Sequence, residues 1–386
     1  MKKKVLFVDD EPGVLDYLRR ILRSKRAEWE MEFAGSGPEA LALMAAKSYD
    51  VIAADMRMPG MDGPVLLERV KELHPRSVRI FLAEDVDKDL GAIGLAHYFL
   101  GKPCEPGELK STITRACNMR SLLTDPSLVE LLSRIDSLPS LPSLYQEVVR
   151  EAQSPDGSLA RVGDIISKDV GMSAKLLQVV NSAFFGSPGE VSSIMRAVNL
   201  LGLENLKALI LTIKIFTCSH SANLPCYSLA SLWGHSIAVG MIARGIATQE
   251  GFSQDRIDEA LMAGMLHDVG KVILMEKLPG ECRKICELVK SSGCELFEAE
   301  QKILGTTHAR VGAYLMGLWG LSESAVEAIT FHHCPGKSAD QSFGTLTVVH
   351  LANAEEHSEG GAKKRKGLDA EYLKKLGISD RKWGGG

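Results

Sequence analysis

No stretch of this sequence is both long enough and apolar enough to cross a membrane. The most apolar later run, Ala208 to Cys218, contains Lys214 and falls short of the roughly eighteen residues a membrane helix needs. An excess of one charge is also lacking: 45 Lys plus Arg stand against 49 Asp plus Glu, for a net charge of -4. That balance excludes a global pull towards nucleic acid or anionic lipid. Cysteine is sparse, with eight in 386 residues, which suits a reducing cytoplasm rather than a disulfide-stapled secreted scaffold. Cys282, Cys286 and Cys294 lie in a helix-like stretch without the paired C-x-x-C knuckles of a zinc site. After MKKK, only Val5 to Val8 are apolar before Asp9, Asp10 and Glu11 intervene, so no secretory signal is expected. What remains is ordinary globular composition, 45% hydrophobic and 24% charged, at a length that implies two or three domains of about 150 residues.

Up to about residue 115, short apolar runs alternate with amphipathic segments. Val5 to Val8, Met31 to Ala34, Val51 to Ala54, Val78 to Leu82 and Tyr98 to Leu100 read as strands, mostly apolar on both faces, as buried parallel strands do. Val14, Leu15, Leu18, Ile21 and Leu22 recur at helical spacing, and Gly37-Pro38 opens a helix over Glu39 to Lys47. The expected fold here is an α/β doubly wound, five-stranded parallel sheet whose functional edge is the carboxyl end of its strands. From about Asp125 the pattern becomes helix after helix. Leu138-Pro139-Ser140-Leu141-Pro142 cannot be a helix interior, because each ring removes a backbone donor and restricts the residue before it.

Asp9 and Asp10 end the first strand and Asp55 the third, so three carboxylates converge at one edge. Two like charges about 4 Å apart repel by about 4 kcal/mol at an effective dielectric of 20. Such a cluster binds a cation or takes up protons. A hard divalent ion such as Mg²⁺ suits all-oxygen ligands, and Lys102, after the fifth strand, brings an ammonium to the same edge. Carboxylate nucleophile, metal and ammonium together suit phosphoryl transfer onto an Asp.

Residues 1 to about 118 resemble a response-regulator receiver domain through VLFVDDEP, DMRMPGMDG from Asp55 to Gly63, and FLGKP from Phe99 to Pro103. The resemblance implies Asp55 as phospho-acceptor, Mg²⁺ on Asp9, Asp10, Asp55 and the Arg57 backbone carbonyl, and Lys102 in contact with the phosphoryl group. One departure matters. Where the family carries Ser or Thr after the fourth strand, FLAED offers Ala83, with Glu84 and Asp85 adding negative charge nearby. The aromatic partner, Tyr98, is present.

The second region holds His235, the pair His267-Asp268, His308, the pair His332-His333 and His350. Neutral imidazoles with a carboxylate suit a transition metal: Mn, Fe, Co, Ni or Zn. Adjacent ligands on one helix bind together only if the protein fixes the metal to one side.

The order His235, then His267-Asp268-Val-Gly-Lys271, resembles the HD superfamily of metal-dependent phosphohydrolases. That superfamily's last ligand is an Asp, and HLANAEE offers Asn353 at the matching place. His308, His332 and His333 are similar to the extra ligands of HD-GYP cyclic-dinucleotide phosphodiesterases. Ser231 stands where that subfamily has a glutamate, and CPGKSADQ contains no Gly-Tyr-Pro. LPSLPSL at 138–144, IISKDVGMSAKLLQVVNSAFFG at 165–186 and AVNLLGLENLKALIL at 197–211 resemble the HDOD output domain, commonly a non-catalytic signalling or interaction module. On packing grounds, Leu176, Leu177 and Val180 form one helix face, Asn181 and Ser182 cap or turn, and Gly186 and Gly202 serve turns or helix ends. Lys363 to Lys366 read as a solvated loop, with no helix-turn-helix signature.

The expected architecture is a receiver at 1–120, a linker at 121–143 and an all-α HDOD domain at 144–386 with its HD-like half from about 228. The expected function is a cytoplasmic response regulator, phosphorylated on Asp55 by a sensor histidine kinase, signalling through a non-catalytic HDOD module to an unidentified protein partner. It neither inserts in a membrane nor binds DNA directly. The alternative is a receiver-controlled metal-dependent phosphohydrolase acting on a nucleotide or cyclic dinucleotide. Its metal would sit on His235, His267, Asp268, His308, His332, His333 and Asn353, with Lys271 contacting substrate phosphate.

Overall fold

The computed structural model describes residues 2–83, 95–119, 122, 123, 125–132, 135, 139, 140, 144, 147, 148, 150, 151, 154, 157–181, 191–208, 217, 218, 229–356 and 367–378. Glu84, Asp85, Ser182, Gly186 and Lys363 to Lys366 lie outside these. Two compact units result: Met1–Asp136 with the short stretches Gln178–Gly189 and Gly317–Gly320, and the remainder.

The first unit is a five-stranded parallel sheet of β1 (Lys3–Val8), β2 (Trp29–Ala34), β3 (Val51–Asp55), β4 (Val78–Ala83) and β5 (Tyr98–Gly101), in the order β2-β1-β3-β4-β5. Every residue of β3 and β4 is buried, which explains why these strands read as continuous apolar runs rather than alternating ones. The helices are α1 (Pro12–Ile21), α2 (Gly37–Ala46), α3 (Gly63–Leu73) and α4 (Pro106–Met119), with α5 (Pro126–Leu132) following. Local chemistry starts them where the sequence suggests. The Ser36 hydroxyl accepts from the Glu39 N–H, the Glu39 carboxylate accepts from the Gly35 N–H, and Asp62 accepts from the Val65 N–H. In α1, Leu15 and Leu18 are buried, as is Leu22 just past its end, while Val14 and Ile21 are half-buried at the rim. The chain leaves β1 towards β2 and returns to β3 on the other side, so the carboxyl ends of β1 and β3 flank a topological switch point.

Among its described residues, the second unit is helical apart from a two-residue parallel pairing of β6 (Pro139–Ser140) with β7 (Thr217–Cys218). Its helices are α6 (Leu159–Ser167), α7 (Val170–Asn181), α8 (Ile194–Ala208), α9 (Leu229–Gln249), α10 (Gln254–Leu266), α11 (Val269–Lys277), α12 (Pro279–Ser292), α13 (Leu296–Leu304), α14 (His308–Leu318), α15 (Glu323–Phe331), α16 (Thr345–Glu356) and α17 (Ala370–Lys375). The sequence suggests a single apolar face on α7, but the helix is enclosed nearly all round: only Gln178 and Asn181 are half-exposed, and Ser173 and Lys175 are buried too. Gly202 stands at φ 72 within α8 and kinks it, the helix-end role expected of it. Among the described cysteines, Cys104, Cys282, Cys294 and Cys334 are free, whereas Cys286 is disulfide-bonded.

Two glycine crossings set the geometry of the second unit. A Cβ on Gly264 of α10 would lie 2.8 Å from the Gly240 Cα of α9, and one on Gly240 would lie 2.9 Å from the Leu261 carbonyl oxygen. A Cβ on Gly270 of α11 would lie 1.9 Å from the His308 carbonyl oxygen and 2.8 Å from the Gly312 nitrogen of α14. These close approaches bring histidines from separate helices within reach of one another. Gly270→Ala is therefore expected to push α11 off α14, costing about 3 kcal/mol or more by overpacking. Urea unfolding of the full chain measures it, and an unchanged midpoint would show that the crossing has slack.

Candidate functional site

At the carboxyl edge of the sheet, Asp9 directly follows β1, Asp55 ends β3 and Lys102 directly follows β5. The Lys102 ammonium lies 2.7 Å from Asp9 Oδ2 and 2.5 Å from Asp55 Oδ1. The remaining carboxylate oxygens accept backbone donors: Asp9 Oδ1 from the Glu11 N–H at 3.0 Å, and Asp55 Oδ2 from the Arg57 N–H at 3.0 Å. Asp9 is buried and Asp55 nearly so, whereas Asp10 is half-buried beside them. Burial pushes the Asp55 carboxyl above its ordinary range, an effect that Lys102 only partly offsets. Burial also works against the Lys102 ammonium, but its hydrogen bonds to Asp55 and Asp9 hold its pKa above the usual value. The edge is thus a buried, charge-assisted cluster in which the Lys102 ammonium bridges two carboxylates. Ala83, buried at the end of β4, offers no hydroxyl, and its carbonyl accepts the Lys102 N–H at 2.7 Å.

In the helical unit, the five histidines and the aspartate among the proposed ligands come together. His267 and Asp268 sit at the break between α10 and α11, where Asp268 leaves the helical region at φ -102, ψ 6. The break turns both side chains towards one point, which a continuous helix would not do. His235 arrives from α9, His308 opens α14, and His332 and His333 follow α15. Asp268 is their centre. Its Oδ2 lies 3.5 Å from His235 Nε2 and 3.4 Å from His267 Nε2; its Oδ1 lies 3.2 Å from His308 Nε2 and 3.7 Å from His332 Nε2. His333 Nε2 lies 3.0 Å from His308 Nε2, and His235 Nε2 lies 3.2 Å from His267 Nε2. Two ligand groups result, one of His235, His267 and Asp268, the other of Asp268, His308, His332 and His333, with Asp268 common to both.

The outer nitrogens decide what the inner ones present. His235 Nδ1 faces Glu356 at 2.7 Å, His267 Nδ1 the Gly264 carbonyl at 2.6 Å, His308 Nδ1 Glu300 at 2.6 Å, and His332 Nδ1 the Ile329 carbonyl at 2.8 Å. Each faces an acceptor, so each Nδ1 donates outward, and in the neutral form of the ring Nε2 turns a lone pair inward. Burial opposes the charged form of His308, but Glu300 holds its pKa above the usual value. Lone pairs facing one another, as between His235 and His267 at 3.2 Å, are reconciled by a proton or a metal ion between them. Asp268 Oδ1 and His332 Nε2 are buried without a hydrogen-bond partner, as is the Asn353 side-chain oxygen. Burial holds the His332 and His333 rings well below the usual histidine pKa and depresses His235, reinforced by neighbouring imidazoles. Asp268 stays ionised: its burial is outweighed by His267 and Lys271. This donor set fits one or two divalent transition metals.

Three residues carry roles that the motifs do not announce. Glu300 accepts both the His308 N–H at 2.8 Å and its Nδ1–H, and Glu356 anchors His235. These are the carboxylates that orient ligating imidazoles. His350 is a support rather than a ligand: its Nδ1–H donates to the His332 carbonyl at 2.7 Å, and its Nε2 accepts the Asp369 N–H at 3.0 Å. Lys271 donates to Asp268 Oδ2 at 2.5 Å. At Asn353, three residues before Glu356 on α16, the structure shows a buried amide whose oxygen has no hydrogen-bond partner. Periodicity could have flagged Glu356, one turn from Asn353; nothing in the sequence marks Glu300.

Comparisons with known proteins agree with this division. The response regulator receiver domain matches residues 5–114 and the HDOD domain residues 138–335. An uncharacterized protein of Treponema pallidum is 29% identical over 223 residues, 58% of this chain and 43% of its own length. The hydrogenase transcriptional regulatory protein HoxA of Cupriavidus necator is 34% identical over 155 residues, covering 39% of this chain and 31% of its own. The chain thus spans less than half the length of either relative. Among solved structures, the MmoQ response regulator of Methylococcus capsulatus superposes with a TM-score of 0.51 at 21% identity, covering 64% of this chain and 95% of that one. No helix among the described residues is long and apolar enough to cross a membrane.

Proposed function

Because this chain belongs to the HDOD family and carries a response-regulator receiver domain ahead of its HDOD output, we propose that it is switched by phosphorylation of Asp55 by a sensor histidine kinase. Asp9, Asp10, Asp55 and the Arg57 carbonyl would hold Mg²⁺, which supplies charge neutralisation for the transferring phosphoryl group. Lys102 orients the Asp55 carboxylate and offers its ammonium to a phosphoryl oxygen. The observation that supports this reading is the single ammonium shared by Asp9 and Asp55. Incubating the full chain with Mg²⁺ and a small acyl phosphate tests it. About one base-labile phosphate per chain is expected, and none taken up would overturn it.

For the output, the reading best supported is a binding module that holds a divalent transition metal on His235, His267, Asp268, His308, His332 and His333. The inward lone pairs and the partnerless Asp268 Oδ1 favour it. A second reading, metal-dependent phosphohydrolysis under receiver control, is favoured by the same cluster, because a bound divalent ion polarises a phosphoryl oxygen. Asn353 speaks against it: a neutral amide stands where the superfamily has its last carboxylate. Turnover of nucleotides or cyclic dinucleotides by the intact, metal-loaded chain separates the two, with binding and no turnover expected.

A further inference from the structure

Beside the histidine cluster, and sharing only His333 with the residues assigned to it so far, lies a cavity of about 460 Å³, within the range of pockets that take small molecules. Its walls are the same elements that build the cluster. Phe297 and Lys302 flank Glu300 on α13, Arg310 follows His308 by two residues on α14, and Phe331, His333 and Lys337 come from the end of α15 and the turn beyond it. His333 belongs to both: its ring packs nearly parallel to Phe297, with centroids 4.8 Å apart, while its Nε2 reaches His308. Three cations therefore line the same cavity as His333, a candidate ligand. Lys302, Arg310 and Lys337 are exposed, and none makes an ion pair among the described residues. Glu298 is the one acid among the lining residues, against three cations.

We propose that this cavity binds a small organic phosphate, up to about the size of a nucleoside monophosphate, with its phosphoryl group held by Lys302, Arg310 and Lys337 beside His333. The inference rests on the reading of the HDOD module as a binding output and deepens it by naming the ligand class. Guanidinium and ammonium side chains lining one cavity select a compact polyanion. Phe297 and Phe331 add apolar surface that free phosphate cannot use, so the organic part contributes to affinity. Binding at this place would put the phosphoryl group next to the ligands on the Oδ1 side of Asp268.

Calorimetric titration of the full chain with adenosine 5′-monophosphate, adenosine and inorganic phosphate tests this. Adenosine monophosphate is expected to bind at least about tenfold more tightly than either fragment, with affinity falling as salt is raised. The double variant Lys302→Ala/Arg310→Ala should weaken it by at least about tenfold, and Lys337→Glu should do the same. Both sets are exposed, and an unchanged far-UV spectrum confirms the fold. Absence of binding, equal binding by the variants, or inorganic phosphate matching the nucleotide would each overturn the assignment. Metal content, measured on the same samples, is expected to stay unchanged in the variants. A wild-type chain without metal whose nucleotide affinity still depends on the three cations would overturn the metal reading and leave the cavity assignment standing.

Discussion

Asp55→Ala is expected to reduce base-labile phosphate from a small acyl phosphate donor to background, an all-or-none loss. The neighbouring carboxylates cannot substitute. Asp9 is fully buried, with one oxygen on Lys102 and the other on the Glu11 N–H. Asp10 lies one residue beyond it, off the Lys102 bridge. Asp55 alone combines a slightly exposed carboxylate with an ammonium in contact. Lys102→Ala retains the nucleophile but removes the positive charge that stabilises charge developing on the phosphoryl group, so uptake should slow by about 10² to 10³-fold. It also leaves Asp9 and Asp55 as buried like charges, which will make uptake depend more steeply on Mg²⁺. Radiolabel incorporation followed over time measures both variants. Labelled Asp55→Ala would place the acceptor elsewhere and remove the basis of the receiver proposal.

The second large effect is expected at Asp268. Asp268→Ala should lower the metal content of protein purified without chelator from about stoichiometric to below about a tenth, because the one carboxylate common to both ligand groups disappears. Asp268→Asn keeps the shape and removes the charge, and is expected to lose metal nearly as completely. By contrast, Glu300→Gln and Glu356→Gln leave every inward nitrogen in place and alter only its orientation and basicity, an effect of about 10 to 100-fold in affinity. Elemental analysis with chelator competition ranks the four variants. Retention of metal by Asp268→Ala would show that the imidazoles hold it without the shared carboxylate, and a metal-free wild type would show that the cluster is held together by protons and hydrogen bonds alone. Asp268→Ala should also unfold more readily, since the Lys271 ammonium loses its 2.5 Å partner, and breaking a buried pair from one side costs about 3–5 kcal/mol.

Much of the receiver is legible because its chemistry is local to strand ends. Alternation between buried apolar runs and amphipathic segments specifies β1 to β5, and each functional residue sits at or just past the end of a strand, where parallel packing carries it to the common edge. The strand ranges widened by one or two residues at the ends, and the helix expected over Glu39 to Lys47 runs instead over Gly37–Ala46, with Lys47 extended just beyond it. In the helical unit the histidines are legible one by one, but their grouping is not. His235 and His333 are almost a hundred residues apart, and they share a site only because Gly240, Gly264, Gly270 and Gly312 let α9, α10, α11 and α14 approach more closely than side chains would permit. The α7 expectation fell short for a related reason: periodicity reports one apolar face, and enclosure on all sides leaves no polar face to mark the period.

By itself, then, the amino-acid order determined the α/β sheet followed by helices, the identity of the acidic and basic groups at the sheet edge, and the histidines able to bind metal. These follow from short-range periodicity and from the chemistry of single side chains. Only the tertiary structure decided that Asp268 lies at the meeting point of five imidazoles, that Glu300 and Glu356 orient two of them, that His350 supports the site from behind, and that three cations surround a cavity sharing His333. Those are distances between residues remote in sequence, set by helix crossings whose closeness depends on which atoms are missing.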